Sequence, residues 1–271
     1  MWNNSLAFRI GLNLPQVGLS IFDNFYDNNK GLDIDFKVTK TIDTEPNSSE
    51  ITIFNLPKEL KQYIESYQQI ELYTAFDNDD YSLIFIGNIK DNNEITYSKG
   101  ELDKSLKIVC YDAGDVYNSA YINKSYKGNY EVLNIINECL KVMNIPVGEF
   151  IKMPMIVKNY VARGRCIDVI KDLCNRYNLQ FNIENGFANI TSIYNNNETP
   201  KYGLNLNDSN CDAPEKIQNG WKIKTTLIPW LKINTYVFCN FEELKGNFRI
   251  VKLIHTGNNY GQKGETEIYV N

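Results

Sequence analysis

The chain has 271 residues, of which 43% are hydrophobic and 23% charged, which is enough apolar surface for a buried core and excludes a disordered tail or mini-scaffold. Twenty-eight basic against 33 acidic side chains give a formal charge of -5, and no basic run occurs, so a surface that grips nucleic acid through phosphate neutralisation is not expected. No stretch reaches the roughly 18 to 20 apolar residues of a membrane helix, and Met1 to Ser20 lacks a charged segment followed by an apolar block. A cytosolic chain without membrane insertion is therefore expected.

The first part of the chain, 1–115, is dominated by alternation of period two. Leu32, Ile34, Phe36 and Val38 alternate with polar neighbours, as in a strand with one buried face. Further strands are expected at Glu50 to Leu56, Gln69 to Ala75, Leu83 to Lys90 and Leu106 to Cys110, with a turn at Asp91 to Glu94. Pro57, followed by Leu60, Ile64 and Tyr67 at helical spacing, predicts one short helix between them.

From 116 to 200 the period changes. Val132, Ile135, Ile136, Cys139, Leu140 and Met143 share one face of a helix expected from near Asn129 to before Pro146. Ile167, Ile170, Leu173, Cys174 and Tyr177 mark a second helix. Gln180 to Glu184 and Phe187 to Thr191 then flank Asn185-Gly186, the strongest hairpin signal in the chain, because both turn positions need positive φ. The polar run Tyr194 to Pro200 predicts a boundary loop. In 201–271 strands return at Trp221 to Leu227, Thr235 to Asn240, Asn247 to His255 and Glu265 to Val270, with turns at Gly246 and at Gly257 to Gly261.

Motifs for chemistry are weak. The single histidine, His255, is expected as a hydrogen-bonded residue near a strand end, and no Gly-x-Ser-x-Gly elbow accompanies it. Gly257 to Gly264 lacks the Lys-Ser or Lys-Thr ending and the helix of a phosphate loop. Asp33 with Asp35 and Asp79 with Asp80 are expected on solvated faces, and Asp112 and Asp115 lack the density of a calcium loop. The six cysteines, at 110, 139, 166, 174, 211 and 239, form no Cys-x-x-Cys pair and are expected as reduced, mostly buried thiols. No cofactor, metal or catalytic residue is expected. Trp221, Leu227, Ile228 and Trp230 gather apolar and aromatic surface around Pro229, and these four are expected at a subunit interface.

Two segments also carry a family resemblance. Phe36-Lys37-Val38-Thr39-Lys40-Thr41, then Glu45-Pro46-Asn47, then Ser48 to Leu56, resembles the opening barrel of bacteriophage tail-hub and baseplate-hub proteins of the Mu type. Ile84 to Ile89 resembles the Phe-x-Gly-x-Ile strand of that family, and Gly246 to Ile250 leading to His255-Thr256-Gly257-Asn258 resembles its closing strands. The resemblance implies an α+β, mainly β fold: tail-tube-like β-barrels at 1–115 and 201–271, with a helix-helix-hairpin α+β module inserted at 116–200. It also implies a non-enzymatic virion protein of the tail or baseplate, assembled in the host cytoplasm. The implied hub is a homotrimer that joins a hexameric tail tube protein to a trimeric spike or tail-tip protein, with DNA passing through its lumen unbound. Two other classes remain open on the residues alone: a cysteine or carboxylate hydrolase acting on a cell wall, the cysteine form pairing His255 with a cysteine, and a carbohydrate-binding module using Trp221 and Trp230.

Overall fold

A computed structural model of the chain describes residues 6–14, 18–23, 33–43, 45–55, 69–76, 82–89, 95–99, 104–113, 116–193, 204–258 and 263–271. The expected helix after Pro57, the turn at Asp91 to Glu94, the pair Asp79 and Asp80, Asp115 and the boundary loop at Tyr194 to Pro200 lie outside the described residues. The chain divides into two compact units. One comprises Met1–Thr41, Asn47–Tyr111 and Glu198–Asn271, and the other Ile42–Pro46 and Asp112–Asn197.

The first unit is mainly β. Its strands are β1 (Leu6–Leu14), β2 (Gly18–Asp23), β3 (Ile34–Thr41), β4 (Ser48–Phe54), β5 (Gln69–Phe76), β6 (Ser82–Ile89), β7 (Ile95–Lys99) and β8 (Lys104–Tyr111) from the N-terminal part. The C-terminal part adds β14 (Asn205–Leu206), β15 (Glu215–Ile217), β16 (Gly220–Thr226), β17 (Tyr236–Asn240), β18 (Lys245–Asn258) and β19 (Lys263–Val270). Among the described residues these form one sheet of 14 strands along the path β15-β16-β19-β18-β3-β4-β8-β6-β5-β1-β2. No closed barrel is found among the described residues. The two parts of the chain instead meet where β18 pairs antiparallel with β3, from Lys252 opposite Thr41 to Asn258 opposite Asp35.

The alternation explains the burial. Ile34, Phe36 and Val38 of β3 are buried while Lys37 is exposed, and Ile51, Ile53, Leu106, Ile108 and Cys110 continue the same apolar layer across β4 and β8. Two features depart from the sequence expectation. Strands β1, β2, β7, β14 and β15 were not among those expected, and Gly246, expected in a turn, lies inside β18 opposite Cys239, the turn being formed by Phe241 to Glu243.

The second unit contains a short helix α1 (Val116–Ser119), strand β9 (Tyr121–Glu131), helix α2 (Val132–Val142), strands β10 (Val147–Phe150) and β11 (Ile156–Arg165), helix α3 (Cys166–Arg176), and strands β12 (Leu179–Glu184) and β13 (Phe187–Ser192). β9 and β11 form a two-stranded antiparallel ribbon, and β10, β13 and β12 a three-stranded sheet. The apolar stripes of α2 and α3 meet in one core, with Val132, Ile135, Ile136, Cys139 and Leu140 from the first and Ile167, Ile170, Leu173 and Cys174 from the second.

Helix α2 begins three residues later than Asn129, because Asn129 to Glu131 are still paired with β11. It ends where Asn144 turns left-handed (φ 54°) and the Ile145 N–H donates to the Leu140 carbonyl at 3.0 Å, with Pro146 next. The hairpin turn falls at Asn185 (φ 52°) and Gly186 (φ 82°), as the dipeptide predicts.

Candidate functional site

His255 sits on β18 opposite Val38 of β3 and Thr266 of β19, on the buried face of the sheet, and has no exposed surface. Its Nδ1 lies 3.0 Å from Thr266 Oγ1, which also accepts the Ile228 N–H at 2.9 Å, and its Nε2 has no partner. Burial, and then the ammonium of Lys40, hold the imidazole well below its ordinary pKa of 6.5. A ring that is neutral, sealed from solvent and anchored to a threonine is a core residue, and no substrate reaches it.

The cysteines are equally inert. Five of the six are buried, Cys211 is half-buried, and all are free thiols. Burial pushes Cys139, Cys174 and Cys239 up to about 12, so little thiolate forms at neutral pH. Among the described residues no group of three or more His, Cys, Asp or Glu side chains is arranged to hold a metal ion. Asp112 is buried in the second unit. Asp33 is exposed and Asp35 half-buried; with Glu265, Asp35 lines a shallow groove of about 500 Å³ at the ends of β3, β18 and β19. The groove holds neither a cysteine nor the histidine, so the cysteine form of the hydrolase reading finds no nucleophile and base there.

The four residues expected at an interface are divided by the structure. Leu227 is 2% exposed and belongs to the core of the first unit, where it continues the inward-facing register of β16 after Thr225. Ile228 and Trp221 are half-buried, the latter on β16 opposite Lys216, whose ammonium lies 5.9 Å from the indole centroid. Trp230 is 43% exposed, held between the buried Pro229 and Leu231. A carbohydrate platform needs two exposed coplanar rings, and only one of the pair is exposed here.

What the sequence reading did not reach is the exposed apolar surface of the second unit. Tyr121, Ile156 and Val161 on the β9–β11 ribbon are 66%, 53% and 59% exposed, more than Trp230. The signal was present in the sequence as Tyr121 to Tyr130, but its alternation is carried by tyrosine, asparagine and lysine rather than by aliphatic residues.

No protein-family model and no curated protein matches the sequence. Solved structures do. The 43 kDa tail protein of prophage MuSo2 from Shewanella oneidensis superposes with a TM-score of 0.70 at 12% identity, covering 98% of both chains. A tail protein from Neisseria meningitidis MC58 superposes with a TM-score of 0.68 at 10% identity, covering 98% of this chain and 96% of that one. The Escherichia coli c3393 protein, a type VI secretion system component with structural similarity to the T4 bacteriophage tail proteins gp27 and gp5, superposes with a TM-score of 0.57 at 8% identity, covering 90% and 75%. These neighbours are described as tail or secretion components and not as enzymes.

Proposed function

Since the chain has the fold of bacteriophage tail proteins, we propose that it is a structural protein of the virion tail: a baseplate-hub subunit, three copies of which form a ring between a hexameric tail tube and a trimeric spike or tail-tip protein. The observation that carries the reading is the match along nearly the whole length of two tail proteins, at both ends and through the middle. The sheet path supports it as well. From β15 to β18 every strand comes from 201–271, and from β3 to β2 every strand comes from 1–115, and among the described residues the two groups pair only at β18 and β3. One subunit thus offers two strand groups, each in the role of one tube-like barrel, and three subunits offer six, the number a sixfold tube requires. The helix-helix-hairpin module is the insertion between them.

The rest of the reading follows from charge and burial. A chain of net charge -5 lets DNA pass through a lumen without the phosphate contacts that would hold it. The exposed Trp230 and the half-buried Trp221 and Ile228 are surface that a neighbouring protein in the tail would cover, while Leu227 ties the segment to the core. The protein has no catalytic role in this reading and is assembled in the host cytoplasm. Imaging of assembled tails with the chain labelled tests it. Three copies at the junction of tube and spike are expected; six copies, or a position on the outer sheath, would refute the hub.

A further inference from the structure

The β9–β11 ribbon differs in charge from the chain as a whole. It carries Lys124, Lys127, Lys158, Arg163 and Arg165 against the single acid Glu131, a surplus of four positive charges in a chain whose total is -5, so the remainder of the chain is at -9. Two of the cations are neutralised from the neighbouring helices, Lys124 by Glu138 and Arg165 by Asp168, each at 2.7 Å. Lys127, Lys158 and Arg163 are exposed and have no ion-pair partner among the described residues.

The register shows which face they occupy. Tyr126 and Tyr160 are opposite one another and buried against the helices, as is Ala162 opposite Lys124, so this face looks inward. Arg163 opposite Asn123, Val161 opposite Ser125, and Arg165 opposite Tyr121 point to the other side. At Lys127-Gly128, opposite Asn159, a bulge inserts one extra residue; the Gly128 N–H donates to Asn159 Oδ1 at 2.8 Å, and beyond it Lys158 and Ile156 keep the outward side. The outer face is therefore a strip in which exposed Tyr121, Ile156 and Val161 alternate with unpaired Lys127, Lys158 and Arg163. These side chains project from the face of the ribbon and not from its edges, so guarding the free edges against strand addition does not account for them.

We infer that the outer face of the β9–β11 ribbon is a docking surface for a second copy of this chain, which it meets head to tail through an acidic surface of that copy. A ribbon-on-ribbon contact across a twofold axis would bring like charges together, whereas the same surplus is complementary to the acidic remainder of the next subunit. A contact between two different patches is the kind that closes into a ring. The aliphatic and aromatic residues between the cations favour a protein over nucleic acid, because a phosphate backbone leaves Ile156 and Val161 in water. The inference deepens the ring proposed above by naming the surface through which its subunits touch, and rests on that reading only in supposing that copies meet.

The test uses the full chain and the paired change Lys158→Glu with Arg163→Glu, at exposed positions that contribute nothing to the core. Sedimentation over a wide range of concentration is expected to show self-association of the parent that weakens as salt rises, and a loss of about tenfold or more in affinity for the charge-reversed protein. Lys245→Glu, an exposed lysine of the first unit, serves as the control and should leave association unchanged. The inference is overturned if the parent stays monomeric throughout, if the ribbon and control changes act alike, or if the parent binds duplex DNA and the ribbon change abolishes that binding. Incorporation of the same variants into tails separates the two claims. A ring at the tube tip that tolerates the ribbon change leaves the hub standing and removes the ribbon from its contacts, whereas absence of the parent chain from that junction removes the hub itself.

Discussion

The two units hide very different things. The helix-containing unit closes over a largely apolar interior, its buried polar side chains among the described residues being Asp112 and Asn182 besides the tyrosines Tyr117, Tyr126 and Tyr160. The sheet unit buries Lys40, Asn47, Ser49, Thr74, Thr225, Thr235, His255 and Thr266. Part of that set forms a row across the strands, Thr225 to Thr266 to His255 to Val38 to Ser49 to Cys110, and within it Ser49 Oγ and His255 Nε2 lack partners. An apolar interior tolerates small slips, since one methyl group substitutes for another. A row of polar groups on one sheet face is satisfied in one register only, so the sheet unit should be the less forgiving of the two.

The same substitution made once in each unit breaks or upholds that contrast most directly. Gly220 (φ 137°) begins β16, and a Cβ there would stand 2.1 Å from the Val270 carbonyl oxygen of the paired strand β19. Gly186 (φ 82°) turns the β12–β13 hairpin, and the nearest atom to its Cβ is the Asp112 carbonyl oxygen at 3.8 Å. Gly186→Val adds backbone strain alone, about 1 to 3 kcal/mol. Gly220→Val adds a backbone collision to similar strain and should cost roughly 2 to 6 kcal/mol. Urea denaturation of both variants measures the difference, and equal losses would show that β19 yields readily at that edge.

The buried histidine sharpens the contrast through pH. Because the folded chain keeps His255 neutral while the unfolded chain protonates it near its ordinary value of 6.5, the unfolded state binds the extra proton as pH falls. Its contribution to stability is therefore whole above 6.5 and declines below it, by at most about 1.4 kcal/mol per pH unit. His255→Gln should flatten the stability profile between neutral pH and the onset of carboxylate titration. An unchanged slope would mean that other groups govern the acid limb.

How far the sequence announced this fold depends on which residues carry the signal. Alternation at Ile34, Phe36 and Val38 and the helical stripes from Val132 and Ile167 were legible because aliphatic residues mark them. Leu6, Phe8, Ile10, Leu12 and Leu14 carry the same alternation, so β1 was within reach of the same reasoning. The ribbon was not, since the bulge at Gly128 breaks its period and its inward face includes Lys124. The pairing of β3 with β18 joins residues more than two hundred positions apart, which no local pattern encodes. Asparagine was the overlooked clue: among the described residues all six non-glycine residues with positive φ, at 55, 144, 159, 178, 185 and 234, are asparagine, closing helices, turns and the bulge where its short polar side chain tolerates the left-handed region. Of the candidate surface, Trp230 was legible as an aromatic residue beside a proline in a stretch between strands, whereas burial of Leu227 follows from the register of β16 and is a tertiary fact.

The smallest expected effect tests whether the helix-containing unit owes anything to its surface charges. Glu138 on α2 accepts hydrogen bonds from Lys124 Nζ at 2.7 Å and from the Tyr126 hydroxyl at 2.6 Å, and these two donors hold its carboxyl below the ordinary 4.5. Its stabilisation is thus present above pH 4.5 and lost as pH falls through its lowered value. Glu138→Gln retains an acceptor for Tyr126 and removes only the charge facing Lys124, whose side chain is half exposed, so the loss at neutral pH should be under about 1 kcal/mol. Glu138→Ala also orphans the hydroxyl of Tyr126, a side chain 2% exposed, and should cost about 0.5 to 1.5 kcal/mol more. That ordering places the value of the contact in the tyrosine and not in the ion pair. Equal losses from both changes would place it in the charge instead, and the helix-containing unit would then depend on electrostatics that its apolar core gives no reason to expect.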